Sequence, residues 1–341
     1  MYPVVNTIKQ VSGNRALKLW VIILLFAVPV SVWAEENEAV SNIEGPPITW
    51  VDSSHTYATN QTQALTQWMD NFFGDPIDDL EQAESFLRAE LIDDWEDEDG
   101  HNFKARLRGK VQLPQISRRL DLVFSGEENE AALSPEERDE DDSLGLQYEL
   151  TEKDSSRLDL TLGISTGGVR PGVRFRNSNA IGERSSYRFL ERVQHENDEG
   201  FYSTTQLDLY HAIGDNDSLR WSNRLRYGEE TNGKEWRTSL SLRKRYFIDT
   251  QRPIATSVFM AINGVTEPES FTKNYKLGLL FRRQIFRKFL FMELQPAYNY
   301  RRENVDEQRH GVWSIVFKLE IALEKDLRRK KKKNQDNDQT L

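Results

Sequence analysis

Cysteine is absent from this chain of 341 residues. Disulfide bonds and thiolate metal sites are therefore excluded, so stability must come from packing and backbone pairing. Histidine is scarce, with five residues in all. Long hydrophobic runs are nearly absent as well, and the mean hydropathy is −0.68.

The one long apolar run, 19–32, follows a basic stretch near the start of the chain. It is about 14 residues long and contains Pro29, whereas a membrane-spanning helix needs about 20 apolar residues. Ala34 stands where a signal peptidase could cut. The arrangement predicts a cleaved signal peptide over 1–34, and the alternative is a retained anchor.

After residue 84 the dominant pattern has a period of two. Within 103–113, apolar and basic side chains alternate, and a helix would not sort them in this way. Each such run covers about ten residues and is bounded by clusters of turn-forming residues. The predicted strands are 85–95, 103–113, 116–126, 144–152, 157–166, 169–176, 185–195, 201–213, 218–228, 235–247, 253–264, 273–284, 288–301 and 311–323.

This count of about fourteen strands predicts an all-β, antiparallel up-and-down barrel over 85–323, with twelve or sixteen strands as alternatives. In a membrane barrel only alternate residues face lipid, so a low mean hydropathy does not argue against a membrane protein. The soluble alternatives are a β-sandwich or a lipocalin-like barrel, whose apolar face points inward. Polar positions rich in arginine and apolar positions rich in aromatic residues favour the membrane version.

The last predicted strand has the clearest alternation, with Trp313, Ile315 and Phe317 on one face. On this pattern, residues 85–323 resemble the general class of bacterial outer-membrane β-barrel proteins. That class normally ends on an aromatic residue of the last strand, whereas here a polar, basic tail follows over 324–341.

The resemblance implies an exported protein in the outer membrane of a Gram-negative bacterium, with the first strand running outward from the periplasm. Inner turns should then be short and outer loops longer. The connection at 166–168 is the weakest joint, because it is too short for an external loop. The expected partners are outer-membrane lipid, lipopolysaccharide and the barrel-insertion machinery, with no nucleic acid.

If the apolar residues face lipid, the polar face lines a lumen that is net basic. The lumen-lining basic candidates are Lys104, Arg106, Arg108, Lys110, Arg174, Arg188, Arg220, Arg224, Arg226, Arg237 and Arg243. A pore for small anions is one interpretation, because fixed charge in a narrow lumen concentrates counter-ions. The other is an ion-paired interior without transport, in a structural or assembly-related protein.

An outer-membrane lipid-modifying enzyme or protease is the less favoured alternative. Such chemistry needs a base beside a nucleophile or water. His195 next to Glu196, and His310 near Glu307, are the candidate pairs, but no motif of specific spacing supports them. We therefore expect no enzyme activity, no catalytic residue, no cofactor and no metal site.

Before the barrel, residues 35–84 form a polar segment that contains one helical pattern. Leu65, Trp68, Met69 and Phe72 recur at helical spacing. The segment is predicted either to lie in the periplasm or to enter the barrel as a plug, and the sequence does not choose between the two.

Overall fold

Fourteen β-strands make up the fold. The computed structural model describes residues 65, 68, 69 and 72 and, from 85 to 322, all except 114–115, 118, 125–143, 154, 166–167, 198, 232, 248–251 and 288. The strands are β1 (Ser85–Glu96), β2 (Gly100–Gln112), β3 (Leu120–Phe124), β4 (Leu144–Lys153), β5 (Ser156–Ser165), β6 (Gly168–Ile181), β7 (Ser185–Glu196), β8 (Gly200–Ala212), β9 (Asp217–Gly228), β10 (Lys234–Tyr246), β11 (Ile254–Val265), β12 (Phe271–Gln284), β13 (Leu290–Arg301) and β14 (His310–Ala322).

Each strand pairs antiparallel with its neighbours in sequence, and β1 pairs with β14 to close the barrel. The closing register runs from Arg88 opposite Ala322 to Glu96 opposite Ser314. The prediction of a closed, antiparallel barrel of about fourteen strands is confirmed. Within the described residues, no helix is long and apolar enough to cross a membrane.

The two faces of the wall differ in chemistry. On β14, Trp313 is 56% exposed, whereas the neighbouring Val312 is fully buried. The same alternation places large apolar side chains on the outside of other strands, among them Leu160, Leu162, Leu240, Leu242, Leu277 and Leu279. A soluble barrel would hide these residues inside, so the exposed apolar face indicates a transmembrane barrel.

Two strands differ most from the predicted bounds. β3 is shorter, because a turn forms ahead of it in which the Leu120 N–H donates to the Ser117 carbonyl at 3.2 Å. β6 extends to Ile181 through a polar stretch that had been predicted as a turn. There Asn177 donates to the Ser156 Oγ at 2.7 Å, so a side chain with low strand propensity bonds to the neighbouring strand.

We call the end of the barrel where β1 begins and β14 ends the terminal end, and the opposite end the loop end. The strand pairs β1–β2, β3–β4, β5–β6, β7–β8, β9–β10, β11–β12 and β13–β14 are each consecutive across the loop end. β5 and β6 are two separate strands that pair with each other despite the short connection between them. The count of fourteen includes both.

Several predictions fall outside the described residues. They concern the signal peptide over 1–34, most of the segment 35–84, the connection over 127–143 between the third and fourth predicted strands, and the basic tail over 324–341.

Exchanging side chains between the faces tests the fold. Leu240→Arg should sharply reduce folding into lipid vesicles, because a charge near the bilayer midplane of a barrel costs roughly 2–4 kcal/mol. Ser239→Arg, the matched control, places the same charge on the inner face of the same strand and should fold almost normally. The yield of protease-resistant barrel measures both, and an equal loss in the two variants would contradict the assignment of faces.

Candidate functional site in the barrel interior

The basic residues predicted to line the lumen all lie on the inner face, because each shares the alternation phase of the less exposed residues of its strand. They fall into two groups. Four are buried, namely Arg108, Lys110, Arg174 and Arg188. The others are partly accessible, namely Lys104, Arg106, Arg220, Arg224, Arg226, Arg237 and Arg243.

A network of buried charges joins the first and last strands, and we name it the seam network. Glu320 of β14 binds Arg282 (Nη2 to Oε1, 2.7 Å) and Arg88 (Nη1 to Oε1, 2.9 Å). Arg282 also binds Glu293 of β13 at 2.9 Å. Glu320 and Arg282 are fully buried. The carboxylate therefore links β1, β12 and β14 through charge-assisted hydrogen bonds.

Beside the seam, Glu90 of β1 continues the network toward β2. Its Oε1 lies 3.3 Å from Arg108 Nη2, and its Oε2 lies 3.4 Å from Arg106 Nε. Arg108 and Arg106 are thus paired at least in part within the wall. Arg108, with a side chain 3% exposed, lies among these charges rather than in open lumen space.

A second network spans β2 to β6. Asp159 accepts from Arg157 Nε at 2.8 Å and from Arg174 Nη2 at 2.9 Å. Asp121 lies 3.6 Å from both Lys110 Nζ and Arg157 Nη2. Because Asp159 is fully buried between two guanidinium groups, the charges here brace neighbouring strands.

A third cluster lies on β7 to β9. Asp208 accepts from Arg188 Nη2 at 3.0 Å and from Arg220 Nη2 at 3.1 Å. Both guanidinium groups also lie 5.5 Å from the centre of the Tyr210 ring. The buried tyrosine thus receives a cation on two sides, an arrangement that holds both arginines in place.

Several key members of these networks were not predicted from the sequence. Arg88, Glu320 and Arg157 were not among the predicted residues, although each lies in the polar phase of its strand. This polar phase was the signal that could have identified them as inward-facing residues. What the pattern could not show is that residues as distant in sequence as Arg88 and Glu320 meet at the seam.

Away from these clusters, the loop-end half of β7 to β10 carries an arginine wall, which we define as Arg192, Arg224, Arg226 and Arg237. Arg224 and Arg237 lie directly opposite each other on β9 and β10. Each member of the wall is only partly buried. Like charges in directly opposite positions repel each other, and this pair places two positive charges side by side on a partly accessible surface.

Acidic residues on the inner face of β7 to β10 are fewer than basic ones. They are Glu196, Asp208 and Glu235, against Arg188, Arg192, Arg220, Arg224, Arg226, Arg237, Arg243 and Arg245. Glu196 binds Arg170 at 3.1 Å, and Glu235 lies 3.7 Å from Arg226. Arg226 also binds Glu199 of the neighbouring connection. This arc of the lumen is therefore net basic.

The histidine pairs considered for catalysis are not assembled. His195 lies on the outer face, where its ring contacts Phe201, whereas Glu196 points inward to Arg170. Glu307 accepts from the backbone N–H groups of Glu303 and Asn304, and His310 lies 3.4 Å from Glu98 instead. Within the described residues, no group of three or more His, Cys, Asp and Glu side chains could hold a metal ion.

No protein-family profile matches the chain, and no curated protein matches it. Solved structures similar to it include a bacterial polysaccharide outer-membrane secretin, with 10% identity, a TM-score of 0.45, and coverage of 71% of this chain and 98% of that one. Another is OccAB3 of Acinetobacter baumannii, with 8% identity, a TM-score of 0.40, and coverage of 70% and 98%. The KdgM porin in complex with disordered oligogalacturonate has 8% identity, a TM-score of 0.35, and coverage of 69% and 98%.

Neutralising the seam carboxylate should destabilise the barrel. Glu320→Gln leaves Arg282 and Arg88 buried without this counter-charge, and breaking a buried pair costs about 3–5 kcal/mol. The control Asp217→Asn removes a pair with Lys244 whose side chains are 34% and 47% exposed, and exposed pairs contribute about 0–1 kcal/mol. Urea unfolding in lipid vesicles gives both free energies, and similar losses would show that the seam network does not stabilise the fold.

Proposed function

We propose that this protein is an outer-membrane pore whose lumen favours small anions. The arginine wall is the observation that carries the proposal, because it puts excess positive charge on the accessible inner surface of a transmembrane barrel. In a narrow lumen with low-dielectric walls, such charge raises the local concentration of anions and lowers that of cations.

The residues that brace the barrel wall and the residues proposed to attract anions lie in different parts of the interior. The seam network and the clusters at Asp159 and Asp208 pair their charges in buried positions, which suits rigidity rather than passage. The arginine wall lies toward the loop end and is partly accessible. A purely structural role would not require basic residues in excess on this accessible arc, so the wall favours the pore over the structural alternative.

The same fold supports the proposed location and partners. An antiparallel barrel with an even number of strands and an apolar exterior is the form that bacterial outer-membrane proteins take. Lipid and lipopolysaccharide would surround the exposed apolar band, and the barrel-insertion machinery would recognise the alternating strand β14. An enzyme is not the proposal, because the histidine and carboxylate pairs examined for it point apart.

Orientation can be tested on the native chain without interference, since it contains no cysteine. Glu303→Cys, in an exposed loop-end position, should react on intact cells with a membrane-impermeant thiol reagent. Asp215→Cys, exposed at the terminal end, should react only after the cells are opened. Labelling of Asp215→Cys alone on intact cells would reverse the proposed orientation.

Ion selectivity tests the pore itself. The triple variant Arg192→Gln, Arg224→Gln and Arg237→Gln should lower the anion-to-cation permeability ratio, measured from reversal potentials under a salt gradient. Lys244→Gln is the control, because this lysine lies on the outer face. The wild-type preference should also fade as salt shortens the Debye length from about 10 Å at 0.1 M to about 3 Å at 1 M.

An unchanged ratio in the triple variant, or an equal fall in Lys244→Gln, would contradict the assignment of selectivity to the arginine wall.

A further inference from the structure

Four side chains from the segment ahead of the barrel carry an inference about how the pore is closed. Leu65, Trp68, Met69 and Phe72 have helical backbone, as their spacing predicts. Leu65, Met69 and Phe72 are buried, at 4%, 1% and 7% exposure. Residues of the barrel pack against them and contribute to this burial.

The covering residues belong to the inner face near the terminal end. Ala212 is the last residue of β8, and Ala255 is the second residue of β11. Both form one apolar cluster with Leu65, Met69 and Phe72, and Leu280 and Phe291 pack against it. Since all four barrel residues share the inward phase of their strands, the side chains of Leu65, Met69 and Phe72 lie inside the lumen.

Aromatic contacts define its position there. Phe72 meets Phe291 edge to face, with ring centroids 5.7 Å apart, and stacks on Trp68 at 4.7 Å. The guanidinium of Arg245 lies 5.0 Å from the centre of the Trp68 ring. The contacts combine apolar burial with a cation held against an aromatic face, and they tie the segment to β10 and β13.

The composition of the wall shows why the segment fits at this arc. Elsewhere around the terminal half, long charged side chains fill the interior, as at Glu320, Asp159 and Asp208. On β8 and β11 the inward positions against the segment are alanines, which leave room for a bulky group. Ala255 is fully buried. The four described side chains thus lie against a part of the wall that is lined by small and apolar residues rather than by ion pairs.

We propose that the segment containing Leu65, Trp68, Met69 and Phe72 is a built-in plug that closes the terminal half of the lumen. The plug rests on the proposed pore function, since a plug has a role only where the lumen would otherwise conduct. It joins the barrel by apolar and aromatic contacts, whereas the barrel wall is joined by ion pairs and backbone pairing. Its release therefore leaves the wall intact.

The first test removes these contacts and measures conductance in planar bilayers. The triple variant Leu65→Ser, Met69→Ser and Phe72→Ser should conduct several-fold more than the wild type. Serine removes the apolar contact without placing a carboxylate beside Arg245. No barrel strand is altered, so folding should be preserved, and circular dichroism checks this. Equal conductance in the two proteins would overturn the plug.

A second measurement reports the position of the segment without reference to conduction. Phe72→Cys combined with Phe291→Cys should be joined by a short bifunctional thiol reagent in the otherwise cysteine-free chain. Phe72→Cys with Ala297→Cys is the matched control, because Ala297 is buried on the same face of β13 but about 20 Å farther along it. Absence of the first crosslink, or equal yields from both pairs, would overturn the placement.

The two measurements separate the plug from the pore. If the specific crosslink forms and the serine variant opens the barrel, the plug is supported. If the crosslink forms but neither protein conducts, the pore function fails and the closing role fails with it, although the segment still lies in the lumen. If both conduct equally and the crosslink fails, the pore survives and the plug does not.

Discussion

A β-sheet within a membrane can have no open edge, because an unpaired backbone N–H or C=O group in hydrocarbon costs several kcal/mol. The pairing of β1 with β14 meets this constraint, and the rest of the structure depends on it. Inward side chains strengthen the same joint. Glu320 binds Arg88 across it, and Glu96 of β1 accepts from Arg301 of β13 at 3.0 Å near the loop end. Closure thus comes from backbone pairing supported by buried charge.

Closure also decides the chemistry of the two faces. Once the sheet is closed, one alternation phase faces lipid and the other faces a confined interior, so most charged residues of the wall lie inside. Arginine suits that interior because its planar group reaches across and binds carboxylates through two or more N–H groups. Where carboxylates match arginines, as around Asp208, the interior is braced. Where arginines exceed carboxylates, as along the arginine wall, the partly accessible inner surface is net basic.

Most of the fold was predictable from the sequence, because the face of each residue follows from a period of two. The pattern located all fourteen strands and the inward phase of the basic residues. It could not show which inward residues lie at the same height on different strands, since that depends on register. The Glu320 network and the separation of His195 from Glu196 both follow from register and phase. The short β3 and long β6 differ because local hydrogen bonds outweighed strand propensity.

The outer face shows a further departure from simple alternation. Glu191 lies in the outward phase of β7, where period two predicts an apolar residue. Ser203 and Thr205 of β8 donate to its two carboxylate oxygens, the latter at 2.6 Å, so the charge is partly compensated in place. The period-two pattern identifies Glu191 as an exception, but only the pairing of β7 with β8 shows which groups compensate its charge.

The described apolar side chains of the N-terminal segment are an exception to the rule that polar residues line the interior. They enter a largely polar lumen, and this is favourable only where the wall offers matching apolar surface, as Ala212, Ala255, Leu280 and Phe291 do. The sheet itself is closed by continuous backbone pairing between strands, in which these four side chains take no part. Stability of the barrel and occupancy of the lumen are therefore separate properties, and a change in one need not change the other.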